Sequence, residues 1–183
     1  ELLSNKTEIS LAGFGTSSAR ITTIGEIAKT SATKQKYAEL LFRITNNINA
    51  QYIVELGTNI GLTTMHLAAA NSQANVITIE GEPSLCNIAK RNFKQHNLTN
   101  ITTIQGNIDL MLPDVLEKLP RLDIVFFDAN HTYESTVKYF EYCLQKAHSK
   151  TVFIFDDIHW SEEMDRAWNE IQQHPTLRVD IDL

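Results

Sequence analysis

The sequence predicts an α/β domain with a doubly wound, mostly parallel sheet and helices on both faces. Three observations carry that reading. Apolar runs alternate with segments of helical period over most of the chain, the pattern of repeated βαβ units. The runs are apolar through most of their length, as in Ile124-Val125-Phe126-Phe127 and Val152-Phe153-Ile154-Phe155, which suits strands covered on both faces. One run, Tyr52-Ile53-Val54-Glu55-Leu56, leads into a glycine-spaced turn, Gly57-Thr58-Asn59-Ile60-Gly61, and the next, Val76-Ile77-Thr78-Ile79, ends in the acid Glu80. Strand, glycine turn, helix and a strand closed by a carboxylate make half of a nucleotide-binding βαβ unit.

From the amino terminus, residues 1–49 read as a helical cap segment, with helices expected near 22–31 and 34–48 packing over the sheet or the mouth at its strand ends. Within it, Leu11-Ala12-Gly13-Phe14-Gly15-Thr16 reads as a surface loop or as a flap over a substrate. Residues 50–183 carry the binding domain. Strands are expected near 51–56, 75–80, 101–105, 123–128, 151–156 and 177–182, separated by helices near 61–71, 83–96, 109–118, 132–148 and 161–173. Pro83 stands at the favoured first-turn position of the helix after Glu80, and Asn97 and Asn100 mark the turn into the strand near 101. No repeat or linker divides the chain, so a single domain is expected. The last expected strand, Arg178-Val179-Asp180-Ile181-Asp182-Leu183, has no following partner. Ending inside a strand leaves backbone groups unpaired, so the favoured expectation is that the chain continues. The alternative is a six-stranded sheet whose exposed edge invites pairing with a second copy, a homo-oligomer.

Composition narrows the function. A chain of 183 residues with 43% hydrophobic content can bury a full core, and 16 basic against 22 acidic residues give a net charge of −6. Nothing there suggests a phosphate-backbone footprint, so no nucleic-acid partner is expected. Cys86 and Cys143 fall far apart in expected helices, as reduced packing thiols do. No apolar stretch approaches the roughly 18 residues that span a bilayer, and no secretory segment opens the chain. A cytoplasmic protein without membrane contact is expected. The chain does not begin with methionine, so residues before position 1 are expected too.

The turn says which ligand. Glycines let backbone approach a ligand, and a carboxylate at the next strand end can accept both hydroxyls of a ribose, which points to an adenosine derivative. Dinucleotide sites use G-x-G-x-x-G, whereas here Thr58 and Asn59 fill the gap, disfavouring a pyrophosphate; no Gly-Lys-Ser or Gly-Lys-Thr occurs either. Further along, Asp128-Ala129-Asn130-His131 and Asp156-Asp157-Ile158-His159-Trp160 follow two strands whose ends share a side with the glycine turn. Three converging carboxylates repel one another unless a cation neutralises them, and a hard divalent ion such as Mg2+ would do so. Helix capping is the alternative, with Asp128 heading the helix at 132 and Asp157 or Ser161 the one at 161.

Glu55-x-Gly57-x-x-x-Gly61 followed by Glu80 resembles the first and second motifs of class I S-adenosylmethionine-dependent methyltransferases. The resemblance covers roughly residues 50 to 183 and implies a Rossmann-like fold of seven strands, of which the seventh is absent here. It implies that Glu55, Gly57, Thr58, Asn59 and Gly61 surround the methionine part of the cofactor, that Glu80 with Gly81 holds the ribose, and that Asn107, in Gln105-Gly106-Asn107-Ile108-Asp109, meets the adenine. Asp128 with Asp156 and Asp157 resembles the ligand set of metal-dependent O-methyltransferases of the catechol and caffeoyl-CoA type, although the second member of the pair is there an amide. Those enzymes place a lysine three residues after the first aspartate. This chain has His131, as in a branch acting on sugar hydroxyls and other small molecules. An imidazole, which titrates near 6.5, can take a hydroxyl proton. His131 as a plain helix-start residue is the alternative. The resemblance thus implies methylation of a small-molecule hydroxyl with S-adenosylmethionine and a divalent ion such as Mg2+. The alternatives are a metal-independent methyltransferase and a non-catalytic adenosine-binding domain.

Overall fold

In the computed structural model, which describes residues 2–11, 20–30 and 33–183, five parallel strands form the central sheet. A short antiparallel hairpin, β1 (Glu8–Leu11) and β2 (Arg20–Thr23), precedes α1 (Ile24–Thr30) and α2 (Gln35–Asn47). Then β3 (Tyr52–Leu56), α3 (Leu62–Ala70), β4 (Asn75–Glu80), α4 (Pro83–Gln95), β5 (Ile101–Gln105), α5 (Ile108–Lys118), β6 (Ile124–Phe127), α6 (Tyr133–Leu144), β7 (Val152–Phe155) and α7 (Glu162–Gln172) alternate without exception. The sheet order is β5-β4-β3-β6-β7. Chain direction through the sheet reverses its stepping between β3 and β6, and such a switch point opens a crevice at the carboxyl ends of the strands.

Each strand is apolar on both sides because each side has a cover. Val54, Leu56, Ile77, Ile79, Val125 and Phe127 pack with α5, α6 and α7 through Leu112, Val115, Phe140 and Ile171. Their neighbours Ile53, Val76, Ile124 and Phe126 pack on the opposite side with Leu41 of α2 and Leu67 and Ala68 of α3. The alternation is the period of two, and it puts Glu55 and Thr78 on the α3 side. At the amino-terminal edge of the sheet, Asp123 accepts from the backbone N–H groups of Gln51 (2.7 Å) and Tyr52 (2.9 Å), from His148 (2.9 Å) and from Arg121 (3.1 Å). This carboxylate pins the start of β3 to the start of β6. Among the described residues no helix is long and apolar enough to cross a membrane.

Two expectations change. The helix placed from residue 22 starts at Ile24, and Thr22 and Thr23 close the hairpin instead. Thr23 and Glu26 form a capping box: the Glu26 carboxylate accepts from the Thr23 N–H (2.9 Å), and the Thr23 hydroxyl accepts from the Glu26 N–H (3.2 Å). The strand expected at 177–182 is not one: the segment joins no sheet, so β7 is the edge. Its acids bind elsewhere, Asp182 to His159 (2.9 Å) and Asp180 to Gln172 (2.7 Å), while Val179 and Ile181 stay exposed. Side-chain bonds to α7 and to the loop before it thus hold this segment in place of a backbone ladder. The loop or flap expected at 11–16 lies, beyond Leu11, outside the described residues.

Candidate active site

The turn after β3 needs its glycines for close approach. Gly57 has φ +97°, and a Cβ there would sit 2.1 Å from the backbone oxygen of Asp128, so the glycine lets the ends of β3 and β6 meet. Gly61, at φ +83°, heads α3, where a Cβ would meet the Phe93 ring at 2.4 Å. Between them Asn59 is also left-handed, at φ +52°, and its N–H donates to Glu80 Oε2 at 2.8 Å. Glu80 Oε1 accepts from the N–H of Glu82 (2.8 Å), and the Gly81 N–H also faces this carboxylate. Burial raises the Glu80 pKa. Two strand ends and one turn therefore present an acid already held by backbone donors.

Glu55 lies under this turn and not on its surface. It is fully buried; its Oε2 accepts from the hydroxyls of Thr64 and Thr78 (2.6 Å), and Thr78 bonds to Thr58 (2.5 Å). Burial pushes its carboxyl up to about 7, against the pull of those hydroxyls. Among the described residues Oε1 has no partner. A buried acceptor left empty is costly, and a donor arriving from a ligand would remove that cost. The orphaned oxygen and the bare glycine turn fit the amino end of an S-adenosylmethionine molecule. On the far side, Asn107 caps α5, its exposed side-chain oxygen accepting from the Asp109 N–H at 2.7 Å. Asp109 pairs with Lys138 at 2.8 Å.

At the mouth, Asp128 ends β6 and its pKa is pushed up to about 8, first by burial and then by the charges of Asp156, Glu55, Asp157 and Glu80. His131 Nε2 lies 3.7 Å from Asp128 Oδ1 and 3.8 Å from Asp157 Oδ2. One ligand atom from each of these three residues falls within 4.8 Å of the others, a space that suits a cation. The trio differs from the expected one. Asp156 stands beside it with Oδ1 taken by the Asp157 N–H (3.0 Å), its pKa raised by burial and by Asp157. Asn130 (φ +64°), His131 (φ +25°) and Asp157 (φ +54°) are all left-handed, so both loops hold strained backbone where the acids converge. Asn59, Asp128, His131, Asp157 and Trp160 line the same cavity, of about 2080 Å³, with Tyr37 of α2.

Sequence reasoning passed over the threonines around Glu55 and the hydrogen bond from Asn130 to Tyr139 (2.7 Å). Thr58, Thr64 and Thr78 read as ordinary strand and helix residues until burial brings their hydroxyls together. For Tyr139 a signal existed, a polar-tipped side chain on the apolar face of a helix.

A family model described as a methyltransferase domain matches residues 54–158. No curated protein matches the chain in sequence. Among solved structures, the O-methyltransferase from Bacillus cereus in complex with SAH superposes with a TM-score of 0.71 at 24% identity, covering 80% of this chain and 73% of that one. TomG from Streptomyces achromogenes, an O-methyltransferase involved in tomaymycin synthesis and solved with SAM, gives 0.66 at 21% identity over 77% and 68%. The SAH-bound Podospora anserina methyltransferase PaMTH1 gives 0.69 at 14% identity over 78% and 71%. At such identities the likeness is one of fold.

Proposed function

Because the chain belongs to the methyltransferase domain family, and is thereby an S-adenosylmethionine-dependent methyltransferase, we propose that it methylates a hydroxyl group of a small molecule with the help of a divalent cation. The observation that carries this reading is the meeting of Asp128, His131 and Asp157 beside the glycine turn, where the two relatives named as O-methyltransferases have the same fold. Asp128 and Asp157, with Asp156 adjoining, are the residues that would hold the ion; a bound Mg2+ or Mn2+ lowers the pKa of a hydroxyl and neutralises the carboxylates. Glu80 accepts from the ribose, Asn107 donates to the adenine edge, and the Glu55 carboxyl lies beneath the turn that takes the donor's ammonium group. The acceptor oxygen forms a bond to the methyl carbon as the carbon–sulfur bond breaks and its electron pair stays on sulfur. His131 takes the hydroxyl proton on its ring nitrogen. Holding the two reacting atoms in line contributes about 7–11 kcal/mol to such a transfer.

Thermal melts test the reading without a known acceptor. S-adenosylhomocysteine should raise the melting temperature, Mn2+ should raise it further, and Asp157→Ala should remove only the metal increment. Stabilisation by S-adenosylhomocysteine with identical curves in chelator and in millimolar Mn2+ would leave a metal-independent enzyme. No response to S-adenosylhomocysteine would remove the cofactor assignment.

A further inference from the structure

We propose that Tyr139 is a positioning residue whose buried hydroxyl holds the turn bearing Asp128 and His131 on α6, the helix whose Lys138 grips Asp109 beside the loop after β5, so that filling the adenosine side of the site is felt at the histidine. The inference rests on the methyltransferase reading and extends it to a residue outside the family motifs. Tyr139 sits in the middle of α6 and is 1% exposed. Its hydroxyl accepts from Asn130 Nδ2 at 2.7 Å and also faces Ser135 and Asp109. Burial and the Asp109 carboxylate both raise the phenol's pKa, so the proton stays in place.

Both ends of this brace matter. On one side, Asn130 and His131 are consecutive left-handed residues with side chains, at φ +64° and +25°. Such backbone persists only where the surroundings hold it, and the side-chain bond that holds Asn130 runs to Tyr139. On the other side, Asp109 lies in the first turn of α5, directly after the loop whose Asn107 caps that helix, and Lys138, the neighbour of Tyr139 on α6, pairs with it at 2.8 Å. Two successive residues of one helix thus grip the cofactor-side loop and the base-bearing turn. Phenylalanine would fill the same volume, so packing alone does not call for the hydroxyl.

Adenosine probes the brace because it reaches only Glu80 and the loop after β5. The ring 13C–1H resonance of His131 is followed while adenosine is added to saturation, with affinities for adenosine and S-adenosylhomocysteine measured by calorimetry. The expected result is a clear shift in the wild type and in Asn130→Asp, whose carboxylate can accept from the Tyr139 hydroxyl. In Tyr139→Phe and Asn130→Gly the shift should be smaller by about threefold or more, although both variants still bind adenosine. Asn130→Gly adopts a positive φ without strain, so a folding defect in Tyr139→Phe does not decide the matter. An undiminished shift in both variants overturns the brace, and so does a wild type that binds adenosine without a shift. A wild type that binds neither ligand overturns the methyltransferase reading and this inference with it.

Discussion

Glu55 keeps a carboxyl group out of water beneath the glycine turn, with hydroxyls on one oxygen and, among the described residues, no partner on the other. Its raised pKa ties stability to pH. Below about pH 4.5 the folded and unfolded chains both carry the proton, whereas between there and about 7 only the folded chain does. Stability that is full at low pH is therefore lost as pH rises through that window, on the order of 3 kcal/mol from this group. Glu55→Gln should flatten the loss in cofactor-free protein, read from urea midpoints at pH 5 and pH 7.5; an equal fall in both proteins assigns it elsewhere. His131 carries the second residue-scale prediction. His131→Ala should lower turnover by about 10²–10⁴-fold, the usual contribution of a general base, with S-adenosylhomocysteine affinity nearly unchanged. A variant with full turnover returns His131 to a helix-start role. Both positions were legible in sequence as polar residues at the ends of apolar runs. The burial of Glu55 was not, because it depends on which sheet face α3 covers.

Elements owe their placement to a few polar anchors as well as to apolar stripes. Pro83 and the Glu82 cap start α4, Ser161 caps α7 and Thr23 with Glu26 starts α1. The last is a T-x-x-E pattern readable in the sequence, though the threonines also end a strand. Asp123 is the strongest anchor. Burial by itself would raise its pKa, yet the N–H groups of Gln51 and Tyr52, His148 and the Arg121 charge hold it below the usual carboxylate range. A depressed pKa gives stability that is present above the unfolded value and lost as pH falls through the folded one. Asp123→Ala, which strips two strand-start N–H groups of their acceptor, should cost about 2–5 kcal/mol at pH 7 and clearly less near pH 3. Urea unfolding at the two pH values measures both, and a deficit independent of pH would refute the ionic part of this account.

At the scale of the molecule, a five-stranded sheet covered by α2 and α3 on one side and α5, α6 and α7 on the other gives a graded stability. Central strands make contacts on four sides, whereas the β1–β2 hairpin stands apart from the main sheet and the segment after α7 joins no strand. Hydrogen exchange should be slowest in β3, β4 and β6 and fastest in the hairpin and in residues 175–183. Saturation with S-adenosylhomocysteine should slow exchange at the turn after β3 and at the loop after β5, leaving the Asp123 end of the sheet as it was. Protection of residues 175–183 equal to that of β3 would mean that the segment pairs after all.

The layered α/β fold, the glycine turn and the acids at Glu80, Asp128, Asp156 and Asp157 were all readable from residue order. Strand and helix periods, turn residues and strand ends are local properties, and in a parallel sheet every strand end falls on one side. Tertiary structure decided the rest. It buried Glu55 among three hydroxyls, set His131 beside Asp128 and Asp157, joined Asn130 to Tyr139, and left residues 177–182 outside the sheet. Each of these outcomes turns on the distance between groups carried by different elements, or on which partner reaches a polar atom first. No pattern within one element contains that information.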